Sequence, residues 1–247
     1  MNRVAVVTGG ASGMGEAICH DLGSRGHKVA VLDVNGSAAQ RVSDELREKG
    51  VDALSVACDV SDRAAVDEAF ERVRAELGPV HILVTSAGMV DFCAFTDITP
   101  ETWTRLLDVN LTGTFHCCQV AVPDMLEAGW GRIVMISSSS AQRGSPGMAH
   151  YAASKGALLS LTRSLAREYG PAGITVNNIP PSAIETPMQH AGQAAGHLPS
   201  NEQMATSVPL GHLGTPDDIA AAVGFLCTEQ AGFITGQTLG VNGGSVM

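Results

Sequence analysis

The chain has 247 residues, 45% of them hydrophobic and 16% charged, which excludes intrinsic disorder and supplies enough apolar surface for a sizeable core. A formal charge of −10, from 25 acidic against 15 basic side chains, opposes an electrostatic grip on nucleic acid or anionic lipid, and 4% aromatic residues leave little for base stacking. No run approaches the ~20 apolar residues that span a bilayer, and six cysteines without CxxC spacing are expected as reduced thiols of a cytoplasmic protein.

Short apolar runs alternate with helix-length amphipathic stretches, the pattern of a parallel sheet wrapped by crossover helices in a single α/β domain spanning 1–247. The first run, Val4 to Thr8, is too short for a secretory signal. It leads directly into Thr8-Gly9-Gly10-Ala11-Ser12-Gly13-Met14-Gly15, followed by a helical stripe at Met14, Ala17, Ile18 and Leu22. Glycines at a strand-to-helix turn let a pyrophosphate approach the backbone, and the helix start offers free N–H groups and a partial positive charge. Gly9, Ser12, Gly13, Met14 and Gly15 are therefore expected to hold a dinucleotide. The second strand, Val29 to Asp33, ends in a carboxylate that can accept hydrogen bonds from both adenosine ribose hydroxyls. Asp33 would repel a 2′-phosphate, and Ser12, Met14 and Val34 offer no cation to neutralise one, so NAD is expected rather than NADP.

The third strand, Ala53 to Ala57, precedes Asp59, which can accept from an adenine amino group or act in an N-cap-like role beside Ser61. Val66, Ala69, Phe70, Val73 and Leu77 then fall at helical spacing, with Ser61 as the expected cap. Strands follow at Ile82 to Thr85 and Arg132 to Ser137, and the latter runs into Ser137-Ser138-Ser139-Ser140 at the sheet edge where open parallel sheets bind ligands. A serine hydroxyl there can donate to a carbonyl oxygen as negative charge develops on it, although composition does not single out one serine. Tyr151 and Lys155 lie four apart and open an apolar helix, so both project from one face. A phenol with a pKa of about 10 exchanges protons poorly at neutral pH, and a nearby ammonium favours the phenolate. After a sixth strand, Thr175 to Ile179, the stretch 182–214 has no strand pattern and is long enough to be a substrate lid. Thr215, Pro216 and Asp218 set out a capping box for the next helix, and a seventh strand is expected at Thr238 to Val241. The eight histidines show no ligand spacing, so no metal is expected.

The constellation Thr8-Gly9-x-x-x-Gly13-x-Gly15, Asp33, Asp59, Ala87-Gly88, Asn110, Ser138, Tyr151, Lys155 and Pro181 to Thr186 resembles the short-chain dehydrogenase/reductase family over essentially the whole chain. The resemblance implies a Rossmann-type doubly wound domain, a seven-stranded parallel sheet with helices on both faces. It also implies Tyr151 as the catalytic acid/base, Ser138 orienting a carbonyl, Lys155 bonding the nicotinamide ribose, and Asn110 holding a relay water. Val60, Ala87, Gly88 and Val109 would line the adenine and ribose pocket, Pro181 would flank the cofactor, and Ile184 with Thr186 would meet its carboxamide. Ser138, Ser139, His150, Tyr151 and Met188 are the substrate-facing candidates, and the family's usual assembly is a homotetramer. Two departures stand out: Thr85-Ser86-Ala87-Gly88 replaces the family's Asn-Asn-Ala-Gly, and Pro181-Ser182 replaces its Pro-Gly.

Gly131-Arg132-Ile133, Ser164 to Glu168 and Val241 to Gly244 look most like the 3-oxoacyl-[acyl-carrier-protein] reductases. Where that subfamily carries basic residues for its acidic carrier, this chain has Gly129 and Ala172, and its net charge opposes an acidic partner. A free small molecule or a CoA thioester is therefore expected as substrate. Hydroxysteroid, cyclic-alcohol or sugar-alcohol oxidation, a catalytically silent NADH sensor, and nucleotide-sugar epimerisation are the alternatives.

Overall fold

In β1 (Val4–Thr8) successive side chains fall on opposite sides, Val4 and Val6 into one apolar cluster, Ala5 and Val7 into another. A strand buried on both faces reads as an unbroken apolar run, which is why the sequence declared it. The computed structural model describes residues 2–247. Five more strands join β1 in parallel: β2 (Lys28–Asp33), β3 (Ala53–Ala57), β4 (Val80–Thr85), β5 (Gly131–Ile136) and β6 (Ile174–Ile179), in the order β3-β2-β1-β4-β5-β6. In chain order the helices are α1 (Gly13–Ser24), α2 (Gly36–Glu48), α3 (Arg63–Glu76), α4 (Pro100–Leu107), α5 (Gly113–Ala128), α6 (Ser140–Arg143), α7 (Ala149–Tyr169), α8 (Pro187–Ala194), α9 (Asn201–Ala205) and α10 (Pro216–Leu226).

Ile18 and Leu22 of α1, Val42 and Leu46 of α2, and Ile219 and Val223 of α10 cover one face of the sheet. Phe70 and Val73 of α3, Cys117 and Met125 of α5, and Leu158 of α7 cover the other. All six cysteines are free thiols, five of them buried. No helix among the described residues is long and apolar enough to cross a membrane. Strand order reverses between β1 and β4, and such a reversal opens a crevice above the carboxyl ends of the strands.

Two local expectations need correction. The sheet has six strands, not seven. The segment 234–239 does run along β6, with Gly236 N–H on Val176 O and Leu239 N–H on Asn178 O, but only Thr238 forms a bridge to it. Side chains take the remaining ladder positions: Thr235 Oγ1 accepts from Val176 N–H, and Asn177 Oδ1 accepts from Gln237 N–H. The cap of α3 is Asp62, whose Oδ1 accepts from Ala64 N–H at 2.9 Å, whereas the Ser61 hydroxyl donates to Asp59. The stretch 182–214 contains α8 and α9.

The capping box of α10 forms as expected: Asp218 N–H donates to Thr215 Oγ1, and Thr215 N–H donates to Asp218 Oδ2. Thr215→Ala should lower stability by ~1 kcal/mol in urea unfolding while leaving nucleotide affinity unchanged.

Candidate active site

A cleft of about 870 Å³ opens above the carboxyl ends of β1 and β4. The turn residues Gly9, Ser12, Gly13, Met14 and Gly15 line it, as do Asp33 and Val34 after β2, Asp59 and Val60 after β3, and Ala87 and Gly88 after β4. Val109, Thr186 and Met188 complete the expected lining residues that the structure brings together there. The glycines at this turn are dictated by contact. Gly9 has φ +65°, and a Cβ on it would stand 2.7 Å from the backbone of Ala87; one on Gly15 would stand 2.0 Å from Gly9 O. The result is a cradle of bare backbone at the start of α1, which fits a pyrophosphate.

Asp33 sits on the rim with its carboxylate fixed, Oδ2 accepting from Ala11 N–H at 3.1 Å and Oδ1 from Asn35 N–H at 2.9 Å. Arg41 reaches the same turn at Ala11 O, yet its guanidinium is already paired with Glu16 and Glu45. The cleft is apolar at Met14 and Val34 and acidic at Asp33.

Lys155 and Asn110 adjoin this cleft through Gly88 and Met89, whereas Tyr151 and Ser138 are not among the residues that line it. A Cβ on Gly88 would lie 3.1 Å from Lys155 Nζ and 3.3 Å from Asn110 Oδ1, so a bare backbone at Gly88 lets the cleft reach both. Asn110 lies in a π-turn (Asp108–Thr112) between α4 and α5, fully buried. Its carboxamide clasps Met89 from both sides, Oδ1 accepting from Met89 N–H at 2.8 Å and Nδ2 donating to Met89 O at 3.0 Å; Nδ2 also donates to Ser154 Oγ of α7. One side chain thus joins the loop after β4 to the helix that carries Tyr151.

The structure separates the four serines. Ser137 donates to Asn178 Oδ1, Ser139 is buried with its N–H on Pro181 O, and Ser140 begins α6. Ser138 remains partly exposed, its hydroxyl accepting from Ser140 N–H and hydrogen-bonded to the Tyr151 phenol. Burial raises the Tyr151 phenol above its ordinary value, and the Ser138 hydrogen bond only partly offsets that. The Lys155 ammonium donates to Ile136 O at 3.0 Å.

His150, Ser139 and Ile184 do not face the cleft. His150 and Ser139 are buried, and Ile184 packs on Gly214 beside a separate cavity of about 290 Å³. Pro181 is buried too, offering its carbonyl to Ser139. Sequence reasoning missed the wall built by Pro100, Glu101, Thr104, Arg105 and Asp108, together with Cys58, Ser61 and Ser86. The signal for α4 was Thr99 before Pro100, an N-cap followed by proline at the first helical position.

Burial holds the Lys155 ammonium at about 8, below its ordinary 10.5. Between those values the unfolded chain keeps a proton that the folded chain has shed. The stability tied to this group is therefore complete above 10.5 and is lost as pH falls through about 8. At pH 7, Lys155→Met should be more stable than the parent by ~1 to 3 kcal/mol in urea unfolding, with the gap closing towards pH 10.

A family model described as enoyl-(acyl carrier protein) reductase matches residues 9–245. The acetoacetyl-CoA reductase of Rhizobium meliloti (strain 1021) is 41% identical over 244 residues, covering 99% of this chain and 98% of that protein. The 3-oxoacyl-[acyl-carrier-protein] reductase FabG of Escherichia coli (strain K12) is 38% identical over 248 residues, covering 99% and 98%. The crystal structure of gox2181 superposes with a TM-score of 0.93 at 35% identity, covering 99% of this chain and 95% of that one. With its doubly wound sheet, its glycine cradle and these full-length matches, the chain belongs to the short-chain dehydrogenase/reductase family of oxidoreductases.

Proposed function

We propose that the protein is an NAD(H)-dependent reductase of 3-oxoacyl thioesters, with free CoA esters as its substrates and Tyr151 as the proton donor. The observation that carries this reading is the Tyr151 phenol beside the Ser138 hydroxyl, raised by burial above its ordinary value, on the helix whose Lys155 reaches the cleft wall at Gly88. A protonated phenol is the form needed to donate to a ketone oxygen. A bound nicotinamide dinucleotide supplies the hydride. Ser138 orients the carbonyl and donates to its oxygen as charge builds there, and Tyr151 delivers the proton to the same oxygen. Lys155, anchored to Ile136 O, stands at Gly88 on the cleft wall, within reach of a cofactor ribose.

Ketone reduction also suits the site better than enoyl reduction. Hydroxyl donors converge where an oxygen acquires a proton, whereas an enoyl substrate acquires one on carbon. The preference for CoA esters over a protein carrier rests on Gly129, which closes α5 at φ +60°, and on Ala172, neither of which offers a cation to an acidic domain. Exposed Trp103 on α4 and Phe115 and Leu126 on α5 supply apolar area for the homotetramer that family resemblance implies, a state that sedimentation velocity reads directly.

Acetoacetyl-CoA should be reduced with loss of NADH absorbance, and Tyr151→Phe should lower kcat by about 10³-fold while NADH affinity stays within about threefold. An active phenylalanine variant would overturn the assignment. NADH should exceed NADPH in kcat/KM by about 100-fold, with Asp33→Ala narrowing that ratio. A parent enzyme that prefers NADPH refutes the role given to Asp33.

A further inference from the structure

His150 immediately precedes Tyr151 and is completely buried, with neither ring nitrogen making a hydrogen bond. A buried imidazole left unbonded costs free energy, so its presence asks for a reason. One polar group stands close by: Asp91 Oδ2 lies 3.5 Å from His150 Nε2, just beyond bonding distance. Contacts that matter in a working complex are often long at rest and tighten there.

Asp91 belongs to the loop after β4. Its other oxygen, Oδ1, accepts from Phe92 N–H at 2.9 Å, so the carboxylate ties the backbone at Phe92 while it faces His150. Phe92 in turn meets the stretch 182–214. Its ring stacks on His197, with centroids 4.8 Å apart and planes within 11°. Gly192 of α8 lets Leu198, the neighbour of His197, pack closely, since a Cβ there would stand 2.8 Å from Leu198 Cδ1. The loop is anchored at one end by the Asn110 clasp on Met89, and at the other by Cys93 N–H on Gly147 O at 2.8 Å. Asp91 falls between these anchors, at the point where the loop passes the start of α7.

We infer that His150 is a positioning residue for substrate. Its 3.5 Å contact with Asp91 latches the loop to the helix of Tyr151, and the Phe92–His197 stack carries that position to α8. Met89 on the loop and Met188 on α8 both line the cleft, so the latch sets two of its apolar walls together. His150 itself touches neither substrate nor cofactor. In its effect on substrate, the inference rests on the reductase reading above; in its effect on the loop, it stands apart from that reading.

Hydrogen exchange measured by mass spectrometry on the full chain tests the latch without any turnover. His150→Phe fills the same space without a polar atom, and should make amides in 89–93 and 187–198 exchange about tenfold faster while the sheet is unchanged. His150→Gln, which places an amide nitrogen near the position of Nε2, should restore the parent pattern. Phe92→Ala should loosen 187–198 alone. If His150→Phe fails to fold, Asp91→Ala, a change at a partly exposed site, should produce the same two faster segments. With acetoacetyl-CoA, His150→Phe should raise KM about tenfold at unchanged kcat, and His150→Gln should return it. Unchanged exchange in both segments, exchange raised uniformly over the chain, or a fall in kcat at constant KM would each overturn the latch. Absence of acetoacetyl-CoA turnover in the parent enzyme would instead sink the substrate reading, leaving the exchange pattern to decide on His150.

Discussion

The backbone of the turn after β1 lies directly on the backbone of the loop after β4, and only glycine at position 9 lets it do so, because any Cβ would strike Ala87. Much of the site follows from this approach. It brings the start of α1 against the β4 loop, so the bare N–H groups of one and the bare Gly88 of the other share a single cleft. Gly88 then meets Lys155 and Asn110, which belong to the opposite half of the sheet's connections. A nucleotide cradle and a proton-transfer group, encoded far apart, become neighbours because two glycines remove the atoms that would part them.

On the chemical side of that wall the balance of charge differs from what spacing alone suggests. One helical turn separates Tyr151 from Lys155, which is close enough for an ammonium to lower a phenol in open solvent. Inside the protein both groups lose water. The phenol rises, the ammonium falls to about 8, and the lysine settles on a backbone carbonyl of β5. Desolvation acts on both groups, and the phenol stands next to a serine hydroxyl. Maintaining a cation at such a place lowers stability, a pattern seen where activity and stability draw on the same residue.

The sequence revealed the elements whose physics is local. Val4 to Thr8 was readable to the residue because a strand buried on both faces reads as an apolar run, and the Thr215 box because its partners sit three residues apart. What depended on distant partners was less visible. Ser138 differs from Ser137 and Ser139 only through Asn178 and Pro181, residues some forty positions away. The expected seventh strand had a suitable pattern, but Thr235 and Asn177 took over its ladder bonds with their side chains. The cleft wall from Pro100 to Asp108 carries no chemical motif, and it lines the site only because α4 folds over it.

The π-turn at Asp108–Thr112 has an implication for how this fold tolerates change in length. Gly113 N–H reaches back to Asp108 O, one residue further than a regular helix allows, so α4 and α5 form a single rod with one residue wedged into it. Each residue turns a helix by about 100°. Deleting the wedge would regularise the rod and swing Asn110 out of line with Met89, or else rotate the apolar stripe of α5 off α3. The irregularity therefore acts as a phase adjuster, allowing one continuous helix to satisfy a core on one half and a polar clasp on the other.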